Sequence, residues 1–137
     1  MPCSPRKSAA LSIIGVGIDA VDIDDMRKAI SRTPTFRERC FTPGERAYAE
    51  RQHDPSERFA VRFAAKEAVM KAMGLGLGAF GFYDVEVILA EGGAPSLLLS
   101  GQALVESEAR GITHWHVTLT HTKTTAIANV VAESRSS

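Results

Sequence analysis

The chain has 137 residues, 45% of them hydrophobic and 23% charged, and its 16 basic and 16 acidic side chains cancel to a formal net charge of zero. That composition fits one soluble domain with its own core. It excludes a general binder of nucleic acid or of membrane surfaces, while leaving room for a local basic patch that faces an acidic partner.

In chain order, Arg6 and Lys7 precede an apolar run that imitates a secretory leader only faintly. The run is broken by Ser12, Gly15 and Gly17 and leads straight into Asp19 and Asp22, with no cleavage signal. Residues 1–10 are expected to be a loose tail and 13–18 a buried strand. No stretch approaches the ~20 apolar residues of a membrane span. Asp22 or Asp24 is placed to cap a helix through Met26, Ala29 and Ile30 that stops near Thr33 and Pro34, because the residue before proline avoids helical geometry. Residues 37–41 read as a short helical or irregular link. Thr42-Pro43-Gly44-Glu45 is a helix start, with threonine as cap, proline first and glutamate three residues after the cap. That helix runs to about residue 52. Ser56 is expected to cap a long helix over 57–73, closed by Gly74 and followed by a mobile glycine-rich loop, 74–81. Strands are expected at 83–90 and 96–100 around a turn, then a helix at 101–110, then a hairpin of 115–120 and 125–132 with a polar tail at 134–137. Cys3 and Cys40 make neither a disulfide framework nor a metal motif, which points to a reducing cytoplasm. The order of elements defines an α+β fold: one domain, 11–133, with a mostly antiparallel sheet packed on a long central helix.

The long helix holds the most informative pattern. At about 100° per residue, Phe59, Phe63, Met70 and Met73 share one face, and Lys66 falls among them. An ammonium there must snorkel out or meet an anion. Glu67 and Lys71 lie on a second face with Ala60, Ala64 and Ala68, where small residues let another chain or a ligand approach the backbone. A carboxylate and two ammoniums beside such a surface suggest a metal–phosphate site, although a Glu–Lys pair at that spacing is also an ordinary surface pair. Asp19, closing an apolar strand after Gly15 and Gly17, can present a carboxylate at a sheet edge or simply start a turn. Trp115, Val117 and Leu119 face a core, while His114, His116, Thr118 and Thr120 form a polar row on the opposite face. That row suits a phosphate or other polar ligand, or is plain solvated surface. No third ligand joins His114 and His116 at a zinc spacing. His121, at the strand end, is the histidine placed for a reactive role. The glycine loop lacks a Walker lysine and follows a helix, so it is a weak phosphate cradle.

Together the strand ending Ile18-Asp19, the run Phe63-Ala64-Ala65-Lys66-Glu67-Ala68 with Lys71 and Gly74, and His116-Val117-Thr118-Leu119-Thr120-His121 resemble one family in order and spacing. The chain is similar to the holo-[acyl-carrier-protein] synthases, the small bacterial 4′-phosphopantetheinyl transferases, over residues 12–133. The resemblance implies that fold, a homotrimer with sites between subunits, and a cytoplasmic enzyme of fatty acid biosynthesis. It implies transfer of phosphopantetheine from coenzyme A to a serine of an acidic apo acyl carrier protein, with Mg²⁺. Asp19 and Glu67 match the metal ligands, Lys66 and Lys71 the lysines by the diphosphate, and His121 the histidine beside the reacting phosphates. Glu67, Lys66 and His121 form the expected catalytic set. Arg62, Lys71, Gly74, Gly76, His116, Thr118 and Thr120 form the coenzyme-binding set. Leu75 stands where members commonly have threonine, and Asp25 where they often have an arginine that meets the carrier, a role for which Arg27, Lys28 and Arg32 offer a substitute face. An Mg²⁺-dependent nucleotide or coenzyme A hydrolase and a non-enzymatic nucleotide-binding module are the alternatives.

Overall fold

The computed structural model describes residues 10–136 apart from Glu91, so most of the expected N-terminal tail lies outside the described residues. Strand β1 (Ala10–Asp22) leads through helices α1 (Ile23–Arg32), α2 (Phe36–Cys40) and α3 (Pro43–Glu50) to α4 (Pro55–Ala72). A 3₁₀ turn (Phe82–Asp84) precedes the hairpin of β2 (Val85–Leu89) and β3 (Pro95–Leu99). Helix α5 (Gly101–Ala109), β4 (His114–His121) and β5 (Thr125–Ser136) complete the chain. The architecture is the expected α+β, but the strands form two antiparallel sheets rather than one, in the orders β1-β5-β4 and β2-β3.

Register fixes which side chains meet. On one face of the three-stranded sheet, Gly17, Val130 and Val117 lie in one row, Asp19, Ala128 and Leu119 in the next, and Val21, Ala126 and His121 in the third. Helix α4 covers this inner face, and the glycines explain how closely. A Cβ on Gly15 would fall 1.8 Å from the Ala72 carbonyl oxygen, and one on Gly17 would fall 2.0 Å from that of Ala68. The strand backbone therefore rests directly on the helix, and Ala60, Ala64 and Ala68 are fully buried. The small-residue face expected to admit a ligand or a second chain is occupied by the chain's own strand.

Three local expectations also change. Asp54, not Ser56, caps α4, its carboxylate accepting from the Ser56 N–H at 3.2 Å, with Pro55 in the first turn. Strand β5 continues through Ser136 instead of fraying at 134, because Ala10–Ser12 pair with Ser134–Ser136. The first strand is buried on one side only: Leu11, Ile13, Val16 and Ile18 remain 60–61% exposed on the outer face. Helix α4 is enclosed by core on most of its circumference, so it lacks the polar stripe of a surface helix. One cluster, with Val69, Met70, Val85 and Val130, packs its second half; another, with Ile23, Phe41, Phe59 and Val61, packs its first.

Candidate active site

The close contact of β1 with α4 places Asp19 against the last turns of the helix. The Lys71 ammonium donates to Asp19 Oδ1 at 2.8 Å and to the Ile18 carbonyl at 3.1 Å. That hydrogen bond raises the proton affinity of Lys71. Glu67, one turn earlier, is half-buried and, among the described residues, accepts no hydrogen bond. Burial first, then the nearby Asp19 carboxylate, push its pKa above the ordinary glutamate value, with Lys71 pulling the other way. Two carboxylates facing each other, one without a partner, suit a hard divalent cation. Among the described residues no group of three or more ligating side chains could form a closed metal cage. That donor set matches Mg²⁺, which keeps waters and takes one or two carboxylates plus substrate oxygens. Gly74, at φ +70° just past α4, and Gly76 are exposed at the same end of the helix.

A second half-site lies near the other end of α4. A cleft of about 550 Å³ is lined by Tyr48, Arg58, Arg62, Leu89, Pro95, Thr118, Thr120 and His121, among others. Arg62 is 3% exposed, with its guanidinium carbon 4.4 Å above the Tyr48 ring and its Nη1 donating to the Arg58 carbonyl at 3.3 Å. Its Nε has no partner, and neither Arg58 nor Arg62 forms an ion pair among the described residues. Burial is the main cause of its lowered pKa. A buried guanidinium that feels the Glu45 charge but forms no ion pair with any carboxylate among the described residues favours an incoming anion. His121 presents Nε2 to Glu57 Oε1 at 3.2 Å and Nδ1 to the Thr122 carbonyl at 3.2 Å. Both nitrogens can donate to these acceptors only in the imidazolium form.

The expected residues therefore divide. Asp19, Glu67 and Lys71 meet, with Gly74 and Gly76 beside them. Arg62, Thr118, Thr120 and His121 meet elsewhere: Glu57, the partner of His121, precedes Glu67 by ten residues of α4, about 15 Å along the axis. His116 joins neither group. It sits on the outer sheet face, where its Nε2 lies 3.1 Å from Glu133 Oε1, a carboxylate that Arg135 also contacts.

Lys66 requires a correction. The sequence suggested an ammonium held for a diphosphate, but Lys66 is fully buried and pairs with Glu45 Oε1 at 2.8 Å. It also donates to the carbonyls of Phe82 and Val85, so its three N–H groups are satisfied inside the fold. Glu45 was legible as part of a capping box, but nothing in the sequence linked it to Lys66. Glu57, Arg58 and Tyr48 were also missed, since a first-turn glutamate and scattered arginines carry no pattern of their own. On α1, Arg27 is engaged by Asp24 and Asp54, and Lys28 by Asp24. Of the three expected carrier-facing cations, only Arg32 has no ion pair among the described residues.

The family model of the 4′-phosphopantetheinyl transferase superfamily matches residues 15–130, and the chain belongs to that superfamily. Within it, the chain is 46% identical to a holo-[acyl-carrier-protein] synthase of Frankia alni, over 90% of this chain and 100% of that protein. Among solved structures, a holo-[acyl-carrier-protein] synthase from Neisseria meningitidis superposes with a TM-score of 0.80 at 29% identity, covering 88% of this chain and 98% of the other. One from Bacillus anthracis, determined in complex with CoA (3′,5′-ADP), gives 0.75 at 35% identity, over 91% and 99%.

Proposed function

We propose that this chain transfers the 4′-phosphopantetheine arm of coenzyme A to a serine of an apo acyl carrier protein in fatty acid biosynthesis, releasing adenosine 3′,5′-bisphosphate. Besides the family relationship, one observation carries the reading: an unpartnered, half-buried Glu67 beside Asp19, with Lys71 bridging to the same carboxylate. Asp19 and Glu67 would hold Mg²⁺, which when bound neutralises charge on the diphosphate oxygens. Lys71 has a flexible ammonium at the rim and is assigned to the oxygens of the departing phosphate. The serine oxygen forms a bond to the β-phosphorus as the bridging P–O bond breaks, and the leaving phosphate takes up the negative charge. Glu67, acting through a water molecule, is assigned the serine proton. Catalysis is then mainly positioning and charge neutralisation.

Arg58, Arg62 and His121 would bind phosphate at the other half-site, with Thr118 and Thr120 lining it. The two half-sites lie apart along α4, with about 15 Å of helix between Glu57 and Glu67, and this separation supports a site shared between subunits. A cyclic homotrimer, with the carboxylate half of one subunit against the arginine half of the next, would complete three sites. The apolar outer face of β1 supports this arrangement, since 60–61% exposure of Ile13, Val16 and Ile18 is unfavourable in a monomer. We place the enzyme in the cytoplasm; no helix of the described residues is long and apolar enough to cross a membrane.

Intact-mass measurement of an apo carrier incubated with the protein, coenzyme A and Mg²⁺ tests the reading. A gain of one phosphopantetheine arm is expected, absent when the carrier serine is replaced by alanine and weakened by salt because the carrier is acidic. No gain with several apo carriers would refute it.

A further inference from the structure

The lysine expected at the diphosphate is the centre of a different device. Lys66 and Glu45 are 0% and 1% exposed and lie in contact, yet a buried ion pair of this kind is often replaceable by apolar residues of similar volume without loss of stability. The pair is therefore weak evidence of a role in fold stability alone, and its geometry suggests what else it does. Glu45 Oε1 accepts from the Thr42 N–H at 3.0 Å and from Lys66, and Glu45 Oε2 accepts from the Val87 N–H at 2.8 Å. Lys66 reaches the carbonyls of Phe82, at 3.1 Å, and of Val85. Four pieces of chain thus converge on two side chains: the first turn of α3, the middle of α4, the 3₁₀ turn and the start of β2.

One of those pieces, the middle of α4, carries Glu67, and another, the 3₁₀ turn, ends the glycine segment that follows α4. Glu67 follows Lys66 directly, about 100° around the helix, so fixing Lys66 toward α3 and β2 fixes Glu67 toward β1 and Asp19. The glycine segment 74–81 is anchored at its start by the end of α4, where the Leu75 N–H donates to the Met70 carbonyl at 2.9 Å. At its far end comes Phe82, whose carbonyl Lys66 holds. Phe80 within the segment is buried, whereas Gly76 and Leu77 stand exposed between the anchors.

We propose that Lys66 and Glu45 form a positioning pair for the transfer reaction. They orient Glu67 and tether the glycine segment at the carboxylate half-site, and the Lys66 ammonium never touches coenzyme A. The inference rests on the transferase reading above, but its first test does not need turnover. In the native full-length chain, an amine-acetylating reagent followed by peptide mass spectrometry should modify Lys71, which is 54% exposed, and leave Lys66 unmodified. Coenzyme A with Mg²⁺ should protect Lys71 and change nothing at Lys66. Modification of Lys66 in the free protein, with or without protection by coenzyme A, would overturn the proposal. Unprotected Lys71 with inert Lys66 would count against the transferase reading alone.

The second test is a cycle of Lys66→Met, Glu45→Gln and the double variant, assayed on protein shown to be folded. Lys66→Met should lower kcat/KM by about tenfold or more in the wild-type background and by less than about threefold when Glu45→Gln is present. Equal losses in both backgrounds would indicate direct contact with substrate, and wild-type turnover in the folded single variants would indicate a purely structural pair. Either result overturns the proposal. If Lys66→Met does not fold, Lys66→Arg takes its place in the cycle and is read by the same outcomes.

Discussion

At Glu67 the same features that suit a metal ligand work against the empty fold. Burial and the facing Asp19 raise its pKa, so the folded chain holds the Glu67 proton to higher pH than the unfolded chain does. The sign follows from that difference. Below the unfolded pKa the group costs nothing, and stability of the metal-free protein declines as pH rises from the unfolded through the raised folded value. Glu67→Gln removes that cost. We expect the metal-free variant to melt no lower than the parent at pH 7, with the difference shrinking toward pH 4, while transfer falls about 100-fold or more because a preorganised charge is lost. Thermal melts across pH, paired with the carrier mass assay, check both halves. Near-full turnover of Glu67→Gln at saturating Mg²⁺ would remove Glu67 from the mechanism. Mg²⁺ should also stabilise the parent less as pH falls through the raised Glu67 pKa, since proton and metal compete for one carboxylate.

Among the elements, β1 and α4 together hold the carboxylate half of the proposed site, and the glycines show how. Gly15 and Gly17 have no room for a Cβ because the carbonyls of Ala72 and Ala68 occupy it. Gly17→Ala must push the strand off the helix, moving Asp19 away from Lys71. A loss of about 1–3 kcal/mol or more is expected from the overpacking, together with weaker Mg²⁺-dependent stabilisation. Gly76 is the contrasting case: nothing lies within 4 Å of where a Cβ would stand, and its φ is not in the left-handed region. Gly76→Ala should therefore change stability by no more than about 0.5 kcal/mol. Any fall in its activity would come from a ligand or neighbouring subunit approaching the backbone, and comparing Tm with kcat/KM for the two variants separates these causes. An unaltered Tm for Gly17→Ala would contradict the close contact of strand and helix.

The whole molecule presents two incomplete half-sites and an apolar outer sheet face. If sites form between neighbouring subunits, an Asp19→Ala variant and a His121→Ala variant are each inactive alone but complementary when mixed. In a randomly exchanged one-to-one mixture, about one quarter of the interfaces pair an intact carboxylate half with an intact histidine half, so about a quarter of the parent activity should return. No recovery after verified subunit exchange would place each site within one chain. Val16→Asp, on the outer face, should dissociate the assembly in light scattering and abolish transfer with it.

The sequence by itself determined the α+β class, the capping box at Thr42 and the inward side of β4, and it pointed to the residue types of the proposed metal–phosphate site, because these follow from local periodicity and from chemistry that neighbours in the chain share. It also singled out Lys66 as a cation that needs an anion. Which anion was a tertiary matter: Glu45 lies 21 residues earlier, and only the packing of α3 and β2 on α4 brings it within 2.8 Å. The same holds for Gly15 and Gly17, whose purpose is visible only with α4 lying on them. It holds also for the parting of Glu67 from His121, since sequence order places both motifs in one chain but only the fold sets them at opposite ends of a helix. Side-chain type and spacing are local quantities, whereas burial and long-range pairing depend on where distant elements pack.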